Sequence, residues 1–460
     1  MRLFCSVLLL SACAAAEQAD WIWSARYVVT MDGERRVIDN GAVAVQGERI
    51  AAVGKRTDID RKFRTNKRLD LAEGLIAPGL INAHTHAPMS LFRGLADDVR
   101  LQEWLEKYIF PAEANHVSPE FVRAGTRLAC LEMALAGTTT FADMYYFEDV
   151  IAEATAEAGL RAVLGETIIR YPAPDAKTPE EALEFTGRFL ERFRGHPLIV
   201  PAVAPHALFT NKDETLRASR VLANRHGAPL LIHLSETKTE YEQAKAARGM
   251  TPVAALDSLG VFDGPTLGAH GIWLDESDFG ILKRRGVGLA HCPSSNMKLA
   301  SGVAPVVKLL DAGIAVGLGT DGPAGSNNDF SLFEEMDLAA KLQKVATGDP
   351  RALPARRALE MATILGARAL GLDREVGSIE PGKRADLVHV RLDRAHAVPL
   401  HNLYSQMVYA LKSSDVENVM VNGRLIVRAG RTQTLNERQV LAEARRHATN
   451  VRLTLAPKIL

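Results

Sequence analysis

Eight short apolar runs, separated by stretches of helical composition, fill the middle of this chain at about 80–86, 138–145, 161–166, 198–206, 229–233, 266–270, 286–291 and 314–321. Repeated alternation of strand and helix implies parallel strands joined by crossover helices. Eight such units close a barrel, so the sequence predicts an α/β fold built on a TIM-type (β/α)8 barrel. In that architecture the chemistry sits at the C-terminal ends of the strands. Those ends carry His84, His86, His206, His233, His270, His291 and Asp321. Histidines that merely fill a core would not collect at one end.

Residues i and i+2 of an extended segment point to the same side, so His84 and His86 in NAHTH can face one ion. Alone, an H-x-H pair is weak evidence, because two histidines so spaced are often ordinary surface residues. His233 closing PLLIHLSET, His270 closing TLGAHG and Asp321 closing GIAVGLGTDG make the pair part of a candidate metal site, and a metal site at a barrel mouth suggests a hydrolase.

Outside the barrel the texture changes. WIWSARYVVTMDGE, GAVAVQGERIAAVG, ADLVHVRL and VENVMVNGRLIVRAG are β-rich runs broken by glycine turns, and Asn422-Gly423 between apolar flanks is a hairpin signal. They predict a small β-sandwich domain made from both chain ends: residues 19–77 as its first part, 78–376 as the barrel, and 377–460 as its second part with a C-terminal helix. At 460 residues and 47% hydrophobic the chain can bury a large core. Its formal net charge is zero and no basic stripe is interleaved with aromatics, which argues against nucleic acid and for a small-molecule substrate.

Met1-Arg2 followed by LFCSVLLLSAC has a short charged start, an apolar stretch too short to span a bilayer as a mature helix, and a small-residue processing site. Residues 1–18 are therefore expected to be an export leader. Leu10 to Cys13 resembles the bacterial lipobox, which implies a lipid on Cys13 as the sole membrane contact and a location in the cell envelope or periplasm. The alternative is a start assigned too far upstream, which leaves a cytoplasmic enzyme. Of four cysteines, Cys5 and Cys13 fall in this segment, and Cys130 and Cys292 alone make no disulfide framework.

PGLINAHTHAPMSLFRGLADD, EWLEKYIFPAE, IHLSET, HCPSSNMKLASGVAPV and GTDGPAGSNNDFSLFEEM together resemble the amidohydrolase superfamily. Within it they are most similar to the 5-methylthioadenosine/S-adenosylhomocysteine deaminase branch, which is related to the triazine hydrolases. The resemblance runs from Trp21 to near the C-terminus and implies a hydrolytic deaminase of adenosine-type nucleosides such as 5′-methylthioadenosine, S-adenosylhomocysteine or adenosine. Hydrolysis of another amino- or chloro-substituted heterocycle, such as guanine, a pterin or a triazine, is the alternative. The resemblance further implies a homo-oligomer and one divalent ion, zinc with iron as competitor, on His84, His86, His233 and Asp321. Binuclear relatives bridge two metals with a modified lysine on the fourth strand, and LIVPAVAPHAL offers none.

By the same resemblance Asp321, His270 and Glu236 are catalytic. A metal lowers the pKa of bound water toward about 7. Asp321 would accept the water's proton, His270 would orient the water, and Glu236 would protonate a ring nitrogen, with a neighbouring carboxylate favouring its protonated form. Read without the resemblance, Glu236 is a helix-start acid, and Trp104 and Glu113 are an amphipathic helix and its exit. With it, Trp104 and Glu113 lie beside the ribose and His206 near the purine. Members acting on S-adenosylhomocysteine hold its carboxylate with arginines between the third and fourth strands. Here Arg170 is the candidate, with no second arginine before Arg188. His291 and Asn296 read as supporting residues.

Overall fold

The computed structural model describes residues 16–459, with side chains through 453. The expected leader, Cys13 included, lies outside these residues except at 16–18, where Glu17–Gln18 pair in parallel with Phe63–Arg64.

The barrel strands are β1 (Leu80–Thr85), β2 (Thr138–Tyr145), β3 (Arg161–Ile168), β4 (Ile199–Pro205), β5 (Leu230–Leu234), β6 (Thr266–His270), β7 (Gly288–His291) and β8 (Val316–Leu318). Each pairs in parallel with the next, and β8 with β1, so the sheet closes on itself. These strands read as unbroken apolar runs because both faces are buried. Ile81, Ala142, Val163, Ala202, Leu231 and Ala290 pack together in one cluster. Phe141, Leu164, Ile232 and Leu289, one residue out of phase, join the larger cluster that holds the helix residues Phe121, Phe189 and Leu282.

Strand β8 spans three residues, far shorter than the run 314–321. A Cβ at Gly319 would lie 2.9 Å from the His84 Cβ and 3.0 Å from the Cys292 Sγ, so the chain passes tightly between its neighbours as it leaves the ladder. Asp321 thus sits on the turn beyond the strand, tied back by a bridge to Thr85. Helices around the barrel start where Ser118, Thr178, Thr237 and Ser331 accept a hydrogen bond from a first-turn N–H. Two other helices, Asp213–His226 and Glu276–Arg285, stop at Gly227 and Gly286, whose φ values of 63° and 66° suit a residue without Cβ.

Strands Trp21–Val29, Val37–Gln46, Arg49–Lys55 and Arg68–Pro78 join Leu387–Arg391, Val416–Val421, Arg424–Arg428 and Arg431–Thr432 from the other chain end. The sandwich read from the sequence takes the form of one continuous eight-stranded sheet. Its two halves share a core of Trp23, Val43, Ile50, Ile76, Leu387 and Met420. The Asn422-Gly423 hairpin forms, and its glycine is required, since a Cβ there would meet the Gly47 carbonyl at 2.1 Å. A buried ion pair, Arg161 Nε to Asp386 Oδ2 at 3.2 Å, fastens this sheet to the first residue of β3. The sheet therefore closes the barrel end opposite the C-terminal strand ends. The final helix, Glu437–Ile459, lies against Pro119–Leu135, where Arg127 Nη1 meets Glu443 Oε2 at 3.0 Å. Cys130 and Cys292 are buried free thiols. Among the described residues no helix is long and apolar enough to cross a membrane.

Candidate active site

His84 lies in β1 and His86 one residue past it, His233 in β5, and His270 closes β6. The Asp321 N–H donates to the His84 carbonyl at 2.9 Å and so fixes the turn after β8 beside β1. The ring centroid of His84 is 4.9 Å from that of His86, 5.0 Å from His233 and 5.5 Å from His270. Ligand atoms of His84, His233 and His270 lie within 4.8 Å of one another, as do those of His84, His86 and Asp321. His270 and Asp321 hold φ values of 75° and 63°. Non-glycine residues adopt these at a cost of about 1–3 kcal/mol, which surrounding structure must offset and which is typical of functional positions.

The rings are aimed by their outer nitrogens. His86 Nδ1 lies 2.6 Å from the Met144 carbonyl and His233 Nδ1 2.8 Å from the His206 carbonyl. A carbonyl only accepts, so each Nδ1 carries the proton and each Nε2 is left as a bare donor pair. His84 Nε2 is buried with no hydrogen-bond partner. Asp321 Oδ1 stands 3.4 Å from His84 Nε2 and 3.2 Å from His86 Nε2, and its Oδ2 accepts from Ser295 Oγ at 2.6 Å. Converging bare imidazole nitrogens beside a carboxylate, one of them orphaned, fit a divalent ion of the zinc type. His270 is oriented differently, with Nδ1 on Asn296 Oδ1 at 3.0 Å and Nε2 facing Glu236 Oε2 at 3.8 Å.

Burial pushes His84 down to about 4 and holds His233 well below the usual histidine range. Neutral rings are the form a metal requires. Burial opposes charge on His86 as well, but Asp321, Asp143 and the Met144 carbonyl outweigh it and lift that ring to about 9, so without an ion its Nε2 also carries a proton toward Asp321, and a bound divalent ion would displace it. Burial likewise opposes ionisation of Asp321, yet His84 and His86 hold its carboxyl well below the usual carboxylate range. Glu236 is raised, chiefly by burial, with Asp321 reinforcing and His270 opposing. The neighbouring carboxylate invoked from the sequence is therefore the lesser cause.

Above this floor opens a pocket. Trp104, Glu113 and His206 all line it. Trp104 begins a π-helical turn, Trp104–Ile109, and its indole N–H donates to the Ala324 carbonyl at 2.8 Å. Glu113 is buried and accepts from the Tyr145 hydroxyl at 2.7 Å; burial pushes its carboxyl up to about 7 against that bond. His206 follows β4 with Nδ1 3.1 Å from Thr210 Oγ1, and burial pushes it down to about 3. Arg170 is the exception among the expected site residues. Its side chain is exposed and its guanidinium lies over the Tyr171 ring, bonded to that hydroxyl at 2.5 Å, so it does not line the pocket.

Residues 75–426 match the amidohydrolase family. The chain belongs to that family. It is 44% identical over 426 residues to the 5-methylthioadenosine/S-adenosylhomocysteine deaminase of Thermodesulfovibrio yellowstonii, covering 92% of this chain and 97% of the relative. It is 43% identical to the 5′-deoxyadenosine deaminase of Methanosarcina acetivorans, covering 93% of this chain and 97% of the relative. Among solved structures, an adenosine deaminase from Xanthomonas campestris with bound zinc superposes with a TM-score of 0.93 at 38% identity, covering 95% of this chain and 100% of the other.

Some supports of this amidohydrolase site escaped the sequence reading. Asp143, buried in β2, accepts from Thr85 Oγ1 at 2.5 Å and from the Ala87 N–H at 2.6 Å, which pins the chain on both sides of His86. Burial pushes its carboxyl up to about 6. An acid inside the apolar run TTTFADMY was the available signal, since a buried carboxyl needs partners. Tyr145, Ser295 and the specific contact of Asn296 offered none, because they act on residues distant in sequence.

Proposed function

We propose that this amidohydrolase is a metal-dependent hydrolytic deaminase of adenosine-type nucleosides, yielding the inosine analogue and ammonia. The observation that carries this reading is Glu236, a buried acid raised toward its protonated form, 3.8 Å from His270 inside the histidine–aspartate cluster. The names of the three relatives described above, each a deaminase of an adenosine-type compound, support it.

His84, His86, His233 and Asp321 would hold one ion, and β4, reading IVPAVAP, has no lysine to bridge a second. Zinc is favoured by the donor set and by the zinc of the Xanthomonas relative, with iron as competitor. Such an ion supplies the acidification of water, toward a pKa of about 7. Asp321, steadied by Ser295, takes a proton from the attacking water. His270, its Nδ1 engaged by Asn296, keeps Nε2 toward the pocket and orients that water. Glu236 gives a proton to the ring nitrogen beside the amino-bearing carbon, the proton that Asp321 took passes to the amino group so that ammonia leaves, and the proton of the newly added hydroxyl returns to Glu236. Glu113 accepts from the ribose hydroxyls, Trp104 covers the sugar's apolar edge, and His206 reaches the purine.

Metal-loaded protein is expected to convert adenosine-type nucleosides with the ultraviolet change of an amine becoming a carbonyl. Turnover of guanine or a pterin with no change in any adenosine-type compound would refute the reading. We also propose export and a lipid on Cys13, on the strength of the LSAC sequence. Mass spectrometry of membrane-fraction protein should find an acylated N-terminal cysteine. A soluble chain retaining Met1 would count against it.

A further inference from the structure

With the purine at Glu236 and the ribose at Glu113, as the deaminase reading places them, a nucleoside's 5′ substituent would extend away from the strand ends toward the outer part of the pocket. That part is walled by residues 95–110, which cross the C-terminal face after β1. Leu101, Trp104, Leu105, Ile109 and Phe110 line the pocket from this segment, and Leu299 joins them from the loop after β7. Among the described residues, none lining the pocket is Lys or Arg, and its acids are Glu113, Glu236 and Asp321. Of the nearby cations, Lys107 Nζ is engaged with Glu103 at 2.9 Å, Lys298 Nζ with Asp97 at 2.6 Å and Arg170 with Tyr171, and Arg100 is exposed and does not line the pocket.

The segment is also fastened in place. The Trp104 indole bonds to the Ala324 carbonyl at 2.8 Å, and Asp97 accepts from both Lys298 and Asn328, the latter at 3.2 Å. Gly325 lets the β8 turn press against it, since a Cβ there would lie 2.0 Å from the Ala96 carbonyl. The outer wall is a preformed apolar collar joined to the loops after β7 and β8.

We infer that residues 95–110 select, among adenosine-type nucleosides, those whose 5′ substituent is uncharged and apolar, and disfavour one ending in an amino-acid zwitterion. The inference rests on the deaminase reading. A charged group brought against the collar loses hydration and gains no partner. A methylthio group or a bare 5′ methyl escapes that cost.

The test compares kcat/KM of the metal-loaded protein for 5′-methylthioadenosine, 5′-deoxyadenosine and S-adenosylhomocysteine. The two neutral compounds should agree within about tenfold, and S-adenosylhomocysteine should fall about 100-fold lower, mainly through KM. A gap under about tenfold between 5′-methylthioadenosine and S-adenosylhomocysteine overturns the inference while leaving the deaminase reading intact. Absence of turnover with all three, at full metal content, sinks both. Leu101 is only partly buried, so Leu101→Arg places a cation at the collar with little disturbance of the core and should narrow the gap about tenfold. An unchanged gap in a folded, active Leu101→Arg protein would remove the collar as its cause. The wild-type comparison decides the substrate preference even if that variant does not fold.

Discussion

Replacing His233 by alanine is expected to empty the metal site and to cut turnover at pH 7 by at least about 10,000-fold, because water then reverts from a pKa of about 7 to 15.7. The greater reactivity of free hydroxide restores only part of that loss. His206, whose centroid is 4.6 Å away, does not take the vacated position, since it is held through Nδ1 by Thr210. The barrel should survive, for the His233 N–H still donates to the His206 carbonyl at 2.9 Å and the strand register is unaltered. After dialysis less than about a tenth of an ion per chain should remain, since losing a direct ligand costs more than the 10–100-fold in affinity typical of an outer partner. Metal analysis and circular dichroism on one sample check both halves. A folded His233→Ala protein with a full ion and normal rate would exclude His233 as a ligand.

The barrel was readable because parallel strands buried on both faces leave apolar runs, and the polar residue ending each run marks the catalytic face. Strands β2 and β6 occupy the expected residues 138–145 and 266–270. Strand β8 does not, since apolarity records burial while the ladder ends where Gly319 is squeezed between His84 and Cys292. The sheet strands were equally visible. Their union in one sheet depends on the antiparallel match of Arg68–Pro78 with Leu387–Arg391, more than 300 residues apart, and no local pattern records it.

The site divides in the same way. His84, His86, His233, His270 and Asp321 could be read because each ends an apolar run and the structure brings all five together. Their orientation could not, because it comes from partners such as Ser295 and Asn296, each 26 residues from the group it touches. Arg170 shows the opposite failure. It stands in the stretch where a cation was sought, but the adjacent Tyr171 engages its guanidinium at the surface.

Glu236→Gln separates chemistry from metal binding more sharply than any ligand substitution. The two side chains have nearly the same shape, and the Glu236 N–H that donates to Glu240 Oε2 at 2.8 Å is untouched, so fold and metal content should be unchanged. What disappears is the exchangeable proton. Loss of a positioned general acid costs about 100- to 10,000-fold, and a fall in kcat of about 1,000-fold with little change in KM is expected here. The pH dependence gives a second, independent readout. Glu236 acts in its protonated form, and burial raises its carboxyl, so in the wild type the acid is present at low pH and kcat falls as pH rises through the elevated pKa. The glutamine variant has no such group, and the residual rate should lack that alkaline decline. A metal-replete variant within threefold of the wild-type rate would transfer the proton role elsewhere. Loss of metal in Glu236→Gln would instead make Glu236 a ligand, and the 3.8 Å approach to His270 would then lose its catalytic meaning.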